Sequence, residues 1–107
     1  MKLIVAIINA DDAQNVLSEI TKAGFYATKL STTGGFLRAG NLTLLMGVDD
    51  EKVDGLLDIL REHCRKRDEF TPVVPSMEGG LIPAIPVKIS VGGATVFVLD
   101  VEQFYKI

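Results

Sequence analysis

The spacing of apolar residues along the chain predicts five strands. Residues 3–8 are continuously apolar and β-branched, which is typical of a central strand buried on both faces. Residues 25–33 are rich in aromatic residues and threonine, and residues 86–91 alternate between apolar and polar positions. Residues 42–48 and 94–99 are two further apolar runs of strand length.

Apolar residues at helical spacing predict two helices. Asp11 and Asp12 are the N-cap candidates of the first helix, and Asp49 and Asp50 are those of the second. Gly24 fits the left-handed position that follows a helix end. The apolar stripes are Ala13, Val16, Leu17, Ile20 and Ala23 in the first helix and Val53, Leu56, Leu57, Leu60 and Cys64 in the second.

The order of these elements predicts one α+β domain that spans residues 1–107. The stretch 68–85, with its prolines and glycines, is expected to be irregular, and Gly92-Gly93 predicts a C-terminal β-hairpin between the last two strands. Two βαβ halves give a ferredoxin-like βαββαβ sandwich with both helices on one sheet face. The other face is apolar in every strand, so the sequence predicts that another subunit covers it.

Composition narrows the possible partners and compartments. Of the 107 residues, 48% are hydrophobic and the mean hydropathy is +0.31, which is apolar for so small a domain. A net charge of −3 argues against binding to a nucleic acid polymer. No apolar run has the roughly 20 residues that membrane insertion needs. With a single cysteine, the chain is expected to be a soluble cytoplasmic protein without an internal disulfide.

Catalytic and metal-binding patterns do not emerge from the sequence. His63 and Cys64 are neighbours on a predicted helix and therefore point to different sides, so they do not form a nucleophile–base pair. One histidine and one cysteine do not make a zinc site of the usual spacing. The two aspartate pairs are better explained as helix caps. The sequence therefore predicts a binding protein without catalytic residues, metal or cofactor, and not an enzyme.

The segment 25–41 carries the unusual chemistry of the chain. The pair Gly34-Gly35 leaves backbone N–H groups uncovered, and such groups can form a nest for anionic oxygens. Phe36-Leu37, Arg38 and Asn41 add an apolar face, a guanidinium and a side-chain amide. This combination suits a ligand with a flat base and a phosphate. The alternative is a hairpin tip whose Phe and Leu cover the core.

Two further glycine patterns each have more than one interpretation. Gly35 and Gly40 have the spacing of a P-loop, but Asn41-Leu42 follows where Lys-Ser or Lys-Thr is required, and the segment joins two strands. Gly47 lies inside a predicted strand, where it indicates either close approach by a ligand or another backbone, or a bulge.

The strings KLSTTGGFLRAGN at residues 29–41 and VGGATVFV at residues 91–98 closely resemble the PII-like cyclic di-AMP receptor family. The resemblance extends along essentially the whole chain. It implies a homotrimer with three cyclic di-AMP molecules in the clefts between neighbouring subunits, and a downstream protein target that the sequence does not identify. The alternative is a divergent PII-like trimer that binds another nucleotide or no ligand and acts as a protein-interaction module.

The resemblance also implies roles for individual residues. Thr28 and Asn41 would hydrogen-bond an adenine, the turn at 35–37 would contact phosphate and base, and Gly47 would let a base lie against the backbone. Tyr26 stands where related sequences often have Arg, so stacking could replace a phosphate contact. The predicted ligand site is Tyr26, Thr28, Gly35, Phe36, Leu37, Asn41 and Gly47.

Overall fold

A computed structural model of the chain describes residues 1–30, 40–72 and 86–107, apart from the side chains of residues 70–72 and 86–87. Six strands, two α-helices and a short 3₁₀ turn lie in these ranges. They are β1 (Lys2–Asn9), α1 (Ala10–Lys22), β2 (Thr28–Leu30), β3 (Asn41–Val48), the 3₁₀ turn Asp50–Lys52, α2 (Val53–His63), β4 (Arg67–Pro72), β5 (Pro86–Val91) and β6 (Ala94–Asp100).

The main sheet has the strand order β2-β3-β1-β6, and every neighbouring pair is antiparallel. β1 is a central strand that pairs with β3 from Lys2↔Val48 to Asn9↔Asn41 and with β6 from Lys2↔Asp100 to Ile8↔Ala94. This order and the β-α-β-β-α-β sequence of its elements confirm the predicted ferredoxin-like, PII-like fold.

The hydrophobic core lies between the two helices and one face of this sheet. Alternate residues of β1 and β3 are buried, as expected for strands with one covered face, and they pack with the apolar stripes of both helices. The core residues are Ile4, Ala6, Ile8, Ala13, Val16, Ile20, Leu42, Leu44, Met46, Val48, Leu56, Leu60 and Cys64.

The opposite face of the sheet, here called the outer face, is apolar and incompletely covered. Leu3, Val5 and Ile7 of β1 are only half-buried there, whereas the sequence predicted burial on both faces. On the neighbouring β6, Phe97 is 53% and Leu99 is 47% exposed. The difference arises because both helices pack on the core side of the sheet.

The helix caps differ from those predicted. The side-chain oxygen of Asn9, not Asp11 or Asp12, accepts a hydrogen bond at 2.8 Å from the backbone N–H of Asp11, because α1 already begins at Ala10, before both predicted caps. Neither Asp49 nor Asp50 makes a side-chain capping bond to the second helical segment. Asp50 instead pairs at 2.9 Å with the N-terminal ammonium of Met1.

β2 begins at Thr28, three residues later than predicted. The N–H of Phe25 donates to the carbonyl of Ile20, and Gly24 has a φ of 88°, so this stretch closes the C-terminal end of α1 before the strand begins. The remainder of the predicted strand, residues 31–33, lies outside the described residues.

The structure after α2 differs from two further predictions. Residues 68–72, expected to be irregular, belong to β4, and residues 73–85 lie outside the described part of the chain. β5 pairs with β4 in a second, two-stranded sheet and not with β6. Gly92 and Gly93, with φ of 85° and 79°, lead the chain from this second sheet to β6, which pairs with the apolar edge of β1. The predicted hairpin between β5 and β6 is therefore wrong.

Candidate functional site

Three of the predicted ligand residues lie on the outer face of the main sheet. Asn41 and Gly47 occupy alternate positions of β3 that face away from the core, between the buried residues of that strand. Thr28 pairs with Leu45, which has the same orientation. All three residues therefore lie on the same face as the incompletely covered apolar residues.

Within a subunit, these residues form two groups at opposite ends of β3. Thr28 is paired two residues from Gly47, whereas Asn41 is six residues from Gly47, a separation of about 20 Å in an extended strand. By the same measure Thr28 lies about 14 Å from Asn41 along the strand. The two side chains of one subunit therefore do not meet the edge of the same adenine.

Gly47, but not Thr28, lines a cleft of about 220 Å³ at the end of β3. Tyr26 lies at this cleft with its side chain 88% exposed, so its ring is available for stacking. The cleft is lined by Met1, Gly24, Phe25, Tyr26, Gly47, Val48, Asp49 and Lys52.

The second group borders a smaller cleft, of about 150 Å³, which is here called the Asn41 cleft. Asn41 is paired with Asn9 at the end of β1, and the N–H of Ala10 donates to the carbonyl of Gly40 at 2.6 Å. Gly40 itself has a φ of 95°, a conformation that favours glycine. The lining residues are Ile7, Ile8, Asn9, Asn41, Gly92, Gly93, Ala94 and Thr95.

Sequence reasoning missed Asn9, Gly92 and Gly93 as members of a site. The string at residues 91–98 carried the family resemblance, but its two glycines were interpreted only as a hairpin turn. The pairing of β6 with β1 brings them beside Asn41. No local pattern near residue 92 indicates this neighbour, because the two segments are about fifty positions apart.

An ion pair lies directly beside Gly92. Arg67 donates from Nη2 to Oδ1 of Asp12 at 2.9 Å and from Nη1 to Oδ2 at 3.3 Å, which is a two-pronged guanidinium–carboxylate contact. Asp12 is buried and Arg67 is 40% exposed. The hydrogen bonds to Asp12 raise the pKa of the Arg67 guanidinium.

The predicted residues Gly35, Phe36 and Leu37, and the cation Arg38, lie outside the described residues. Their contribution to the site therefore stays a prediction.

A third cleft lies between α2 and β6 and contains none of the predicted ligand residues. Its volume is about 490 Å³, and it is lined by Leu57, Leu60, Arg61, Cys64, Arg65, Ala94, Val96 and Val98. Burial raises the pKa of the Cys64 thiol to about 11, with a further contribution from the charge of Asp12. The thiol is therefore protonated at neutral pH, and a protonated thiol is a poor nucleophile.

Neither of the two helices in the described ranges is long and apolar enough to cross a membrane.

Comparisons with known proteins agree with the fold and the sequence resemblance. A family model described as cyclic-di-AMP receptor matches residues 1–107. The crystal structure of a functionally unknown protein from Pediococcus pentosaceus is 40% identical in sequence to this chain. The match covers 99% of this chain and 96% of that one, with a TM-score of 0.76.

Proposed function

The chain belongs to the cyclic-di-AMP receptor family, and from that premise we propose that it is a PII-like signalling protein that binds cyclic di-AMP in the clefts between the subunits of a homotrimer. The structural observation that carries this proposal is the shared position of Thr28, Asn41 and Gly47. All three lie on the outer sheet face, where a second subunit would form the opposite wall of a cleft.

The outer face supports self-association. Leu3, Val5, Ile7 and Leu45 are half-buried on it, and Phe97 and Leu99 remain close to half exposed. Burial of apolar surface contributes about 25 cal/mol per Å², so covering this face with equivalent faces of other subunits stabilises an oligomer. In a closed ring, the outer face of every subunit is covered in the same way.

A dinucleotide offers one base to each of the two groups on β3. One ligand carries two bases, so one base can stack at Tyr26 and Gly47 while the other reaches the amide of Asn41. The exposed Tyr26 ring provides a stacking surface, and stacking on an aromatic side chain contributes about 1–3 kcal/mol per base. The amide of Asn41 can donate to and accept from an adenine edge.

Recognition of the phosphates is proposed to depend on neutral groups more than on charge. The protein has a net charge of −3, and the candidate cations near the site are Lys29 and Arg38. Backbone N–H groups at residues 35–37 would then bind much of the phosphate charge. Salt should therefore weaken the affinity only modestly, in contrast to a basic nucleic-acid surface.

Thermal unfolding in the presence of a nucleotide panel tests this proposal. Cyclic di-AMP at 100 times its Kd should stabilise the folded protein by about 2.7 kcal/mol, while cyclic di-GMP, AMP and ATP serve as controls. Light scattering should give three times the chain mass of 11.6 kDa. Stabilisation by another nucleotide, or by none, would favour the alternative of a divergent trimer that docks a protein.

A further inference from the structure

The ion pair between Asp12 and Arg67 joins the first helix to the second sheet. Asp12 lies in the first turn of α1, which packs on the main sheet. Arg67 is the first residue of β4, where the second sheet leaves the body of the domain. Arg67 also donates from Nη1 to the carbonyl of Arg65 at 3.3 Å and has its Nε 3.6 Å from Oε1 of Glu69. The guanidinium is therefore held from several sides.

The same guanidinium also lies against Gly92. A Cβ atom built on Gly92 would lie 2.7 Å from Nη1 of Arg67 and 2.5 Å from the carbonyl oxygen of Arg65. Both distances are shorter than Cβ contacts in folded proteins; the Arg67 side chain could shift, but the backbone carbonyl of Arg65 is fixed, and the φ of 85° also favours glycine. Gly92 directly follows the last residue of β5, so both strands of the second sheet meet the body of the domain at this contact.

A second connection runs from Asp12 to the Asn41 cleft. Asn9 is paired with Asn41 across β1 and β3, and its side chain caps the helix turn that contains Asp12. Gly92 lines the same cleft on the side of β6, and Gly93 connects it to that strand. Asn41, Asn9 and Gly92 line the cleft, whereas Asp12 and Arg67 lie outside its lining and connect the Asn9 side to Gly92.

We propose that Arg67, held by Asp12, is a positioning residue that sets the Gly92 wall of the Asn41 cleft together with the base of the β4–β5 sheet. Affinity for cyclic di-AMP then depends on an ion pair that does not touch the ligand. The role in affinity rests on the function proposed above, whereas the role in holding the β4–β5 sheet does not require a ligand.

Amide hydrogen exchange on the free protein tests the structural role. Asp12→Asn keeps the shape of the side chain but removes the charge that orients the guanidinium. The matched control is Asp68→Asn, which removes a carboxylate of the same sheet that pairs with Lys88 at 3.3 Å instead of with the Arg67 guanidinium. We expect at least tenfold faster exchange across residues 67–69 and 88–91 in Asp12→Asn and unchanged exchange in β1 and β3. Equal exchange in the two variants would overturn the proposal.

Calorimetry with cyclic di-AMP tests the coupling to the site. Asp12→Asn and Arg67→Gln should each weaken binding about tenfold, and the double variant should lose little more, because both changes remove the same contact. Asp68→Asn should bind like the wild type. Additive losses, or full affinity in both single variants, would overturn the positioning role. If Asp12→Asn does not fold, Arg67→Lys replaces it, since it keeps the charge but not the two-pronged geometry.

The exchange and calorimetry experiments distinguish a failure of this inference from a failure of the proposed function. If the wild-type protein does not bind cyclic di-AMP, the proposed function fails, and the positioning role in affinity fails with it. The exchange comparison still decides whether the ion pair holds the β4–β5 sheet.

Discussion

A Cβ atom added to Gly47 would lie 3.9 Å from the Sδ atom of Met1, an ordinary van der Waals contact. Gly47 does not have a positive φ, so its backbone conformation does not require glycine either. Nothing described within the subunit therefore explains a glycine at this position of β3. The base of a ligand lying against the backbone, as in the function proposed above, would explain it.

Gly47→Ala is therefore expected to separate binding from stability. The variant should unfold at the wild-type free energy or about 0.5–1 kcal/mol above it, because alanine is favoured over glycine inside a strand. Its affinity for cyclic di-AMP should fall at least tenfold, measured by calorimetry. The control is Gly55→Ala on α2, where an added Cβ meets nothing within 4 Å and binding should not change. Wild-type affinity in Gly47→Ala would remove Gly47 from the site.

Asn41→Ala tests the hydrogen-bonding end of the strand. Removing the amide leaves a buried base edge without its partner, which costs about 1–3 kcal/mol, or roughly tenfold to a hundredfold in affinity. Asn15→Ala is the matched control, because Asn15 is an exposed asparagine on α1 that contacts His63. Titrations at two salt concentrations should show the same loss for Asn41→Ala at both. A loss that appears only at low salt would assign Asn41 an electrostatic role instead.

Phe97→Glu is expected to break the proposed trimer. Phe97 lies on the outer face beside Val5 with 53% of its surface exposed, so a buried charge there would oppose association. Light scattering should shift from three times 11.6 kDa to the mass of a single chain. Ile89→Glu, at a position of β5 that is 40% exposed, should leave the mass unchanged. A trimer that persists in Phe97→Glu would place the interface elsewhere.

The sequence predicted the elements whose signals are local. The apolar run at residues 42–48 forms β3 as predicted, the helical stripe through Leu56 and Leu60 lies in the core, and Gly24 ends α1 as predicted. The string at residues 29–41 also identified the family, which the match over residues 1–107 confirms. These features depend on neighbours within a few positions of one another.

The sequence did not predict features that depend on distant partners. The pair Gly92-Gly93 has the pattern of a hairpin turn, yet β6 pairs with β1 because that edge of the main sheet is apolar and open to it. Asp12 has the pattern of a helix cap, yet its carboxylate binds Arg67, 55 positions away. In both cases tertiary contacts decide between two locally acceptable arrangements.

Cys64 predicts how the stability of the protein depends on alkaline pH. Burial raises the pKa of its thiol from an ordinary value of 9.0 to about 11 in the folded state, so the folded state retains the proton more strongly than the unfolded state. This contribution is fully present below pH 9 and is lost as the pH rises through 11, because ionisation then favours unfolding. Between pH 8 and pH 10.5 the loss amounts to about 2 kcal/mol. Denaturant unfolding of wild type and Cys64→Ala at both pH values isolates this contribution. The difference in unfolding free energy between the two proteins should be smaller at pH 10.5 than at pH 8 by that amount. A difference that stays constant would contradict the raised pKa.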